Sequence, residues 1–449
     1  MDMNWIVVDR LNFPVMNDTP FFADSWLTTG FVVALLVGLV LKFWLALRQI
    51  RHVTQHRACV PTAFAHTITS EAHHKAADYT LAKVRLSLGE TVLGTVTLLG
   101  WTLLGGLSVL NTWLMQCVGA GMVQQLALLG CFVLISGVID LPLSLYRTFV
   151  LEARFGFNTA TLWLWLADLL KSSLVGACIG LPIAALILWV MGAIGSAWWL
   201  WAWGTWMGVN LLLLVIYPVW IAPMFNTFTP VEEGTLKTRV TALMQRCGFS
   251  AKGLFVMDGS KRSAHANAYF TGWGSAKRVV FFDTLLSKLS TPEVEAVLAH
   301  ELGHFKHRHI IQRIALMFAM SLAGFALLGW LVGQTWFYTG LGVHVVMDTP
   351  HDAVALLLFM LTLPVVSFFM VPLFAKVLRR HEFEADTYAV QHTSGYDLAT
   401  ALLKLYEDNA STMTPDPVYV AFYDSHPSAS ERLSRLVGSH PITEPKIGL

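Results

Sequence analysis

The chain has 449 residues, of which 55% are hydrophobic and 13% charged, with a formal net charge of +1. A soluble protein carries about 25% charged residues, so this composition excludes an ordinary soluble domain and points to long stretches in lipid. Near-neutral charge leaves no basic footprint for nucleic acid. The five cysteines form no CxxC pair; they read as small buried hydrophobes rather than as a zinc site. The first twenty residues mix charges with Pro14 and lack the apolar core of a cleavable signal peptide.

In chain order, about seven stretches are long enough to span a bilayer, which takes roughly 20 apolar residues. They cover residues 26–47, 91–114, 123–145, 172–191, 198–221, 314–332 and 353–374. The fourth and fifth are open to a second reading, as one re-entrant pair. Loop charges alternate. Arg48, Arg51, Arg57, Lys75, Lys83 and Arg85 follow the first stretch, and Arg147, Arg154 and Lys171 follow the third. Segment 222–309 is rich in Lys and Arg, and Lys376, Arg379 and Arg380 follow the last stretch. Loops 111–121, 192–197 and 333–352 carry none. Positive loops stay in the cytoplasm, which puts the N-terminus outside and both polar portions, 223–309 and 379–449, on the cytoplasmic side. Asp140 and Asp168 lie within or at the ends of apolar segments, which motivates a transporter reading; pairing with Arg147 or Lys171 is the plainer one.

Within the first polar portion, residues 264–271 and 278–283 read as two strands, with Gly272 and Gly274 supplying the turn. The hairpin is either a docking edge for an extended peptide or simple packing for the helix that follows. That helix opens with Thr291 as N-cap, Pro292 in the first position, and Glu293 and Glu295 in the first turn. It is expected to run on through Lys306-His307-Arg308-His309 towards the sixth stretch.

The helix carries His300-Glu301-Leu302-Gly303-His304. Histidines four apart share one helical face and can reach one zinc ion, and the intervening Glu301 falls where a general base is needed. Chance histidines among the sixteen present are the alternative. A hydrolytic zinc site needs a third protein ligand and an open fourth position. Residues 379–386, Arg-Arg-His-Glu-Phe-Glu-Ala-Asp, supply it. Glu382 and Asp386 share a face, Glu382 as ligand and Asp386 as acceptor for the N–H of a ligand histidine. His381 and Glu384 stay open as alternative ligands, and pairing of the acids with Arg379 and Arg380 on a solvated helix is the non-metal reading.

These two segments resemble the HExxH…ExxxD pattern of zinc metalloproteases. Further motifs are similar to the zinc-dependent (type 1) CAAX prenyl proteases: Lys75-Ala76-Ala77-Asp78-Tyr79-Thr80, Tyr146 to Glu152, Arg154 to Asn158, Ile221 to Asn226, Asn267 to Gly272, and Ser425-His426-Pro427 with Glu431-Arg432. The resemblance runs from Arg51 to Leu433. It implies an α-helical integral membrane protein, with seven transmembrane helices around a water-filled intramembrane chamber and a small α+β zinc metalloprotease domain containing a β-hairpin. It divides the chain into residues 1–222, a membrane region with five transmembrane helices, and 223–449, a metallopeptidase region including the last two.

Residue by residue, the resemblance implies one Zn2+ per chain held by His300, His304 and Glu382, with Glu301 as general base and then acid. Asn267 lies on a substrate-binding strand, and His426 and Arg432 support the site through hydrogen bonds to the peptide or the developing oxyanion. The partners implied are the bilayer and a peptide or protein substrate, prenylated in eukaryotic members, which lose a C-terminal tripeptide. A monomer in a bacterial inner membrane is expected, or in the endoplasmic reticulum if the source is eukaryotic. Two competing readings change the role. One is quality-control proteolysis of membrane proteins without prenyl specificity; the other is a non-catalytic lipid- or peptide-binding protein whose zinc is structural, which a closed four-ligand site would support.

Overall fold

The computed structural model describes residues 21–249, 253–271 and 278–438. Apolar helices make up its membrane part: α1 Phe21–His56, α2 Ser70–Trp101, α3 Gly106–Val118, α4 Met122–Tyr146, α5 Leu162–Ala193 and α6 Trp198–Ile216. Only 6% of the apolar window in Met122–Glu152 is buried inside the protein. Apolar side chains turned outward over that length fit a lipid face, since water would oppose them.

Two membrane expectations change. The stretch 91–114 is not one straight span: α2 and α3 meet at a 49° bend. The break follows from backbone chemistry: α2 ends at Trp101 with Thr102 as its C-cap, and Gly105, at a left-handed φ of 78°, caps the start of α3. The fourth and fifth stretches are not a re-entrant pair. They form two separate candidate spans, and α5 begins ten residues before 172, capped by Thr161 accepting from the Leu164 N–H. Among the described residues six helices are long and apolar enough to span a bilayer, or seven with the bent pair taken as one.

A four-stranded sheet follows, with β1 Phe228–Pro230, β2 Gly253–Met257, β3 Ala268–Thr271 and β4 Arg278–Phe282 in the order β1-β2-β4-β3. The expected hairpin is β3 antiparallel to β4, with Tyr269 opposite Val280; Gly272 and Gly274 of its turn lie outside the described residues. Strand β3 starts at 268 rather than 264 because the preceding backbone bonds elsewhere. Ala264 N–H donates to the Phe157 carbonyl and Ala266 N–H to Asn409 Oδ1.

Helices α7 Thr235–Arg246 and α8 Asp283–Leu286 flank the sheet. Helix α9, Thr291–Lys306, is capped one residue earlier than expected, by Ser290 rather than Thr291: Ser290 and Glu293 form a reciprocal capping box. It also stops short of the sixth stretch. Arg308 adopts φ 57° and the chain turns, so α10 His309–Leu331 is a new helix. Then come α11 Thr335–Thr339, α12 Asp352–Ser367, α13 Val371–His392, α14 Gly395–Asp408, α15 Pro417–Tyr423 and α16 Ala429–Gly438.

Two cores result. One, at the bent-pair end of the bundle, joins Leu107, Leu128, Leu188, Trp198, Val354 and Leu358. The other joins the sheet to α9, α14 and α16 through Phe281, Leu298, Leu302, Leu402 and Leu433. Inside this second core α9 and α13 cross with almost no space between them. A Cβ added at Gly303 would lie 2.9 Å from Ala385 Cα and 3.1 Å from its carbonyl oxygen. Neither helix can move aside without unpacking the core, so Gly303→Ala is expected to cost about 1–3 kcal/mol. Thermal unfolding of the purified protein in detergent checks this, as a lowered midpoint relative to wild type.

Candidate metal centre

Helical spacing puts His300 and His304 on the face of α9 that meets α13. The crossing brings Glu382 of α13 between them. His300 Nε2 stands 3.5 Å from Glu382 Oε2, and His304 Nε2 stands 3.4 Å from Glu382 Oε1. The two Nε2 atoms are 3.3 Å apart. One ligand atom from each residue falls within 4.8 Å of the others. All three side chains are largely buried, Glu382 at 4% exposure.

This arrangement fits a metal ion. Glu382 Oε2 is a buried carboxylate oxygen with no hydrogen-bond partner, a costly state unless a cation completes it. Two imidazole nitrogens and one carboxylate oxygen are a donor set suited to zinc, with a fourth position left open.

The surrounding shell is built from charge pairs. His300 Nδ1 lies 2.8 Å from Asp386 Oδ1, one turn beyond Glu382 on α13. Arg432 of α16 grips the same carboxylate, with Nε donating to Asp386 Oδ2 at 2.9 Å. Burial opposes a charge on His300, yet the neighbouring carboxylates of Asp386 and Glu382 prevail and raise its pKa to about 9. Burial pushes the Glu301 carboxyl up, against the pull of His300 and His304. A carboxyl raised in this way holds a proton more readily than a solvated one, as a group that first takes and then returns a proton must.

His300, Glu301, Glu382 and Arg432 open onto a cavity of about 980 Å³. Its walls come from the membrane helices as well, including Gln49 of α1 and Tyr79 of α2. Asn267 lines the same cavity just ahead of edge strand β3, and its carbonyl accepts from the Phe282 N–H. His426 Nε2 stands 3.5 Å from Glu382 Oε2, with the side chain 64% exposed. Arg432 Nη1 is 4.0 Å from that same oxygen.

All eight residues singled out in the sequence therefore face one cavity or its immediate support. The alternative ligands do not join the cluster. His381 stacks on His309 with ring centroids 4.0 Å apart, and Glu384 bonds His309 and Arg380. The expected partners of the membrane acids also differ: Asp168 pairs with Arg262, ninety-four residues on, and Arg147 pairs with Glu90.

The sequence reading gave no role to a second polar cluster on the cavity wall. Tyr79 Oη donates to Glu152 Oε1 at 2.7 Å, His265 Nε2 lies 3.5 Å from Glu152 Oε2, and Asn409 Oδ1 lies 3.1 Å from His265 Nδ1. Tyr79 and Glu152 sit in motifs already noted for their resemblance. Asn409 carries no local signal, because only tertiary contact makes it a partner.

The comparisons agree with this geometry. Residues 49–227 match the family described as "CAAX prenyl protease N-terminal, five membrane helices", and residues 230–440 match peptidase family M48. The chain belongs to peptidase family M48. It is 33% identical to CAAX prenyl protease 1 of Saccharomyces cerevisiae, over 93% of this chain and 96% of that protein. It is 32% identical to the Homo sapiens CAAX prenyl protease 1 homolog, over 87% of this chain and 90% of the other. The crystal structure of S. mikatae Ste24p superposes with a TM-score of 0.86 at 32% identity, covering 91% of this chain and 99% of that one. As an M48 member with a five-helix membrane domain, the chain is a multi-pass membrane metalloprotease acting on peptide or protein substrates.

Removing Arg432 would strand the Asp386 charge, since both are buried to 5–7% exposure. Breaking one side of such a pair costs about 3–5 kcal/mol. Arg432→Met is expected to lower the unfolding midpoint by that equivalent, and Arg432→Lys to recover part of it.

Proposed function

We propose that His300, His304 and Glu382 hold one zinc ion, and that the chain is an endopeptidase that removes the C-terminal tripeptide of prenylated CaaX proteins. The observation that carries this is the convergence of those three ligand atoms beside Glu301, on a cavity shared by membrane helices and edge strand β3. The names of the relatives support the substrate class.

Zinc held there supplies Lewis-acid polarisation of a carbonyl and lowers the pKa of water towards about 7. Glu301 takes a proton at its carboxylate as the water oxygen attacks the scissile carbon. It returns that proton to the leaving amine nitrogen as the C–N bond breaks. Asn267 and the open edge of β3 hold the peptide extended, by main-chain pairing. His426 and Arg432 donate to the carbonyl oxygen as charge develops on it. Asp386 fixes the His300 ring by accepting from Nδ1.

We take residues 1–222 as the membrane region with five transmembrane helices and 223–449 as the metallopeptidase region that carries the ligands; both contribute to the cavity wall. The loop charges support a site on the cytoplasmic side, with the N-terminus outside. A bacterial inner membrane, or the endoplasmic reticulum in a eukaryote, suits that orientation, with the protein acting as a monomer.

Glu301→Gln keeps the ligands and removes the base. It is expected to lower kcat by about 100–10,000-fold while zinc content, read by mass spectrometry of the purified protein, stays at wild-type level. Normal turnover by this variant would remove the assignment and leave a structural zinc.

Prenyl specificity has its own test. Products from a farnesylated CaaX peptide and its unprenylated twin, with and without chelator, are compared by mass spectrometry. The prenylated peptide is expected to lose its last three residues at a kcat/KM at least about tenfold higher, the scale of a buried apolar contact. Equal turnover would favour quality-control proteolysis instead.

A further inference from the structure

Each ligand imidazole must present Nε2 to the metal, which requires something to hold its Nδ1. For His300 that partner is Asp386. For His304 the chain provides a different device, and neither the motif spacing nor the family resemblance assigned it a part.

Because Arg308 turns in the left-handed region, α10 starts afresh and His309 folds back on the zinc helix. His309 Nδ1 stands 3.0 Å from His304 Nδ1, and His309 Nε2 stands 2.9 Å from Glu384 Oε2. The proton positions follow from one fact: an ionised carboxylate only accepts. Glu384 therefore takes the Nε2–H of His309, which leaves His309 Nδ1 bare. That bare nitrogen accepts from His304 Nδ1–H, and His304 Nε2 keeps its lone pair towards Glu382 and His300. Glu384 is itself fixed through Oε1, which accepts from Arg380 Nε at 2.9 Å.

The His309 side chain is fully buried. It lies between His381, at 4.0 Å and 9°, and His307, at 5.5 Å and 15°, so its ring plane is set by stacking. Both of its nitrogens are used, one on His304 and one on Glu384. A core that needed only volume would not require an imidazole here.

We infer that His309, backed by Glu384, is a positioning residue that selects the metal-binding tautomer and ring orientation of His304. This rests on the reading of His304 as a metal ligand. Outer partners of metal-bound histidines are worth about 10–100-fold in metal affinity.

The test measures zinc affinity of the full chain in detergent by competition with a chelator, and records the visible spectrum of the cobalt-substituted protein. His309→Phe keeps the stacked ring and removes the acceptor. His309→Gln keeps a carbonyl oxygen that can accept from His304 Nδ1–H. His309→Phe is expected to weaken zinc by about 10–100-fold and shift the cobalt spectrum, while His309→Gln stays within about threefold of wild type. Thermal unfolding confirms that each variant is folded; if His309→Phe is not, His309→Gln against His309→Leu gives the same comparison.

Wild-type affinity in the variant lacking the acceptor overturns the inference. So does equal weakening in the variants with and without an acceptor. Zinc binding by wild type that Glu382→Ala leaves intact overturns the ligand reading instead, and the inference with it.

Discussion

Everything at the site depends on how closely α9 and α13 approach. A helix pair normally lies 8–10 Å apart, at a distance set by the side chains between them. Here Gly303 puts nothing between itself and the Ala385 backbone. That contact sits between the two histidines in sequence and just before Asp386 on the opposing helix. It carries Glu382 into the gap between His300 and His304, where a Cβ at 303 would hold it away. The glycine inside the five-residue motif is thus part of the metal geometry, although it has no ligand atom.

The second constraint is the burial of charge. His300, Glu382, Asp386 and Arg432 are nearly closed to solvent. Groups of this kind persist in a low-dielectric interior only when paired and hydrogen-bonded. Arg432 on Asp386, and Asp386 on His300, meet that requirement along a chain that ends at the orphaned oxygen of Glu382. The other side ends differently, with His304 reaching a carboxylate through a second imidazole. The two ligand histidines are therefore supported by unlike networks. Only the first is a direct carboxylate contact of the kind the ExxxD spacing foretells.

A third feature is the sharing of one cavity between apolar and polar parts of the chain. The bundle turns its hydrophobic faces outward and contributes Tyr79 and Glu152 to an inner polar wall. A hydrolytic site needs water, and lipid excludes it. Enclosing the reaction between membrane helices on one side and a sheet-bearing domain on the other resolves that conflict.

Local and periodic information was legible in the sequence. Apolar runs gave the spans because the bilayer imposes a length. Spacing by four gave the ligand pair on α9, and the Glu382–Asp386 pair on α13, because a helix returns to the same face at that interval. Properties set by single backbone angles or by distant partners were not legible. The bend at Gly105 interrupts an apolar run whose hydropathy is continuous, and the turn at Arg308 breaks a polar run that carries no helix-stop residue. The shortened start of β3 depends on Asn409, and the salt bridge of Asp168 depends on Arg262. The amino-acid order thus determined the membrane class, the zinc helix and its candidate ligands. The tertiary structure alone decided which groups stand behind those ligands, because hydrogen bonds to a histidine ring are made by whatever the fold brings within 3 Å, at any separation along the chain.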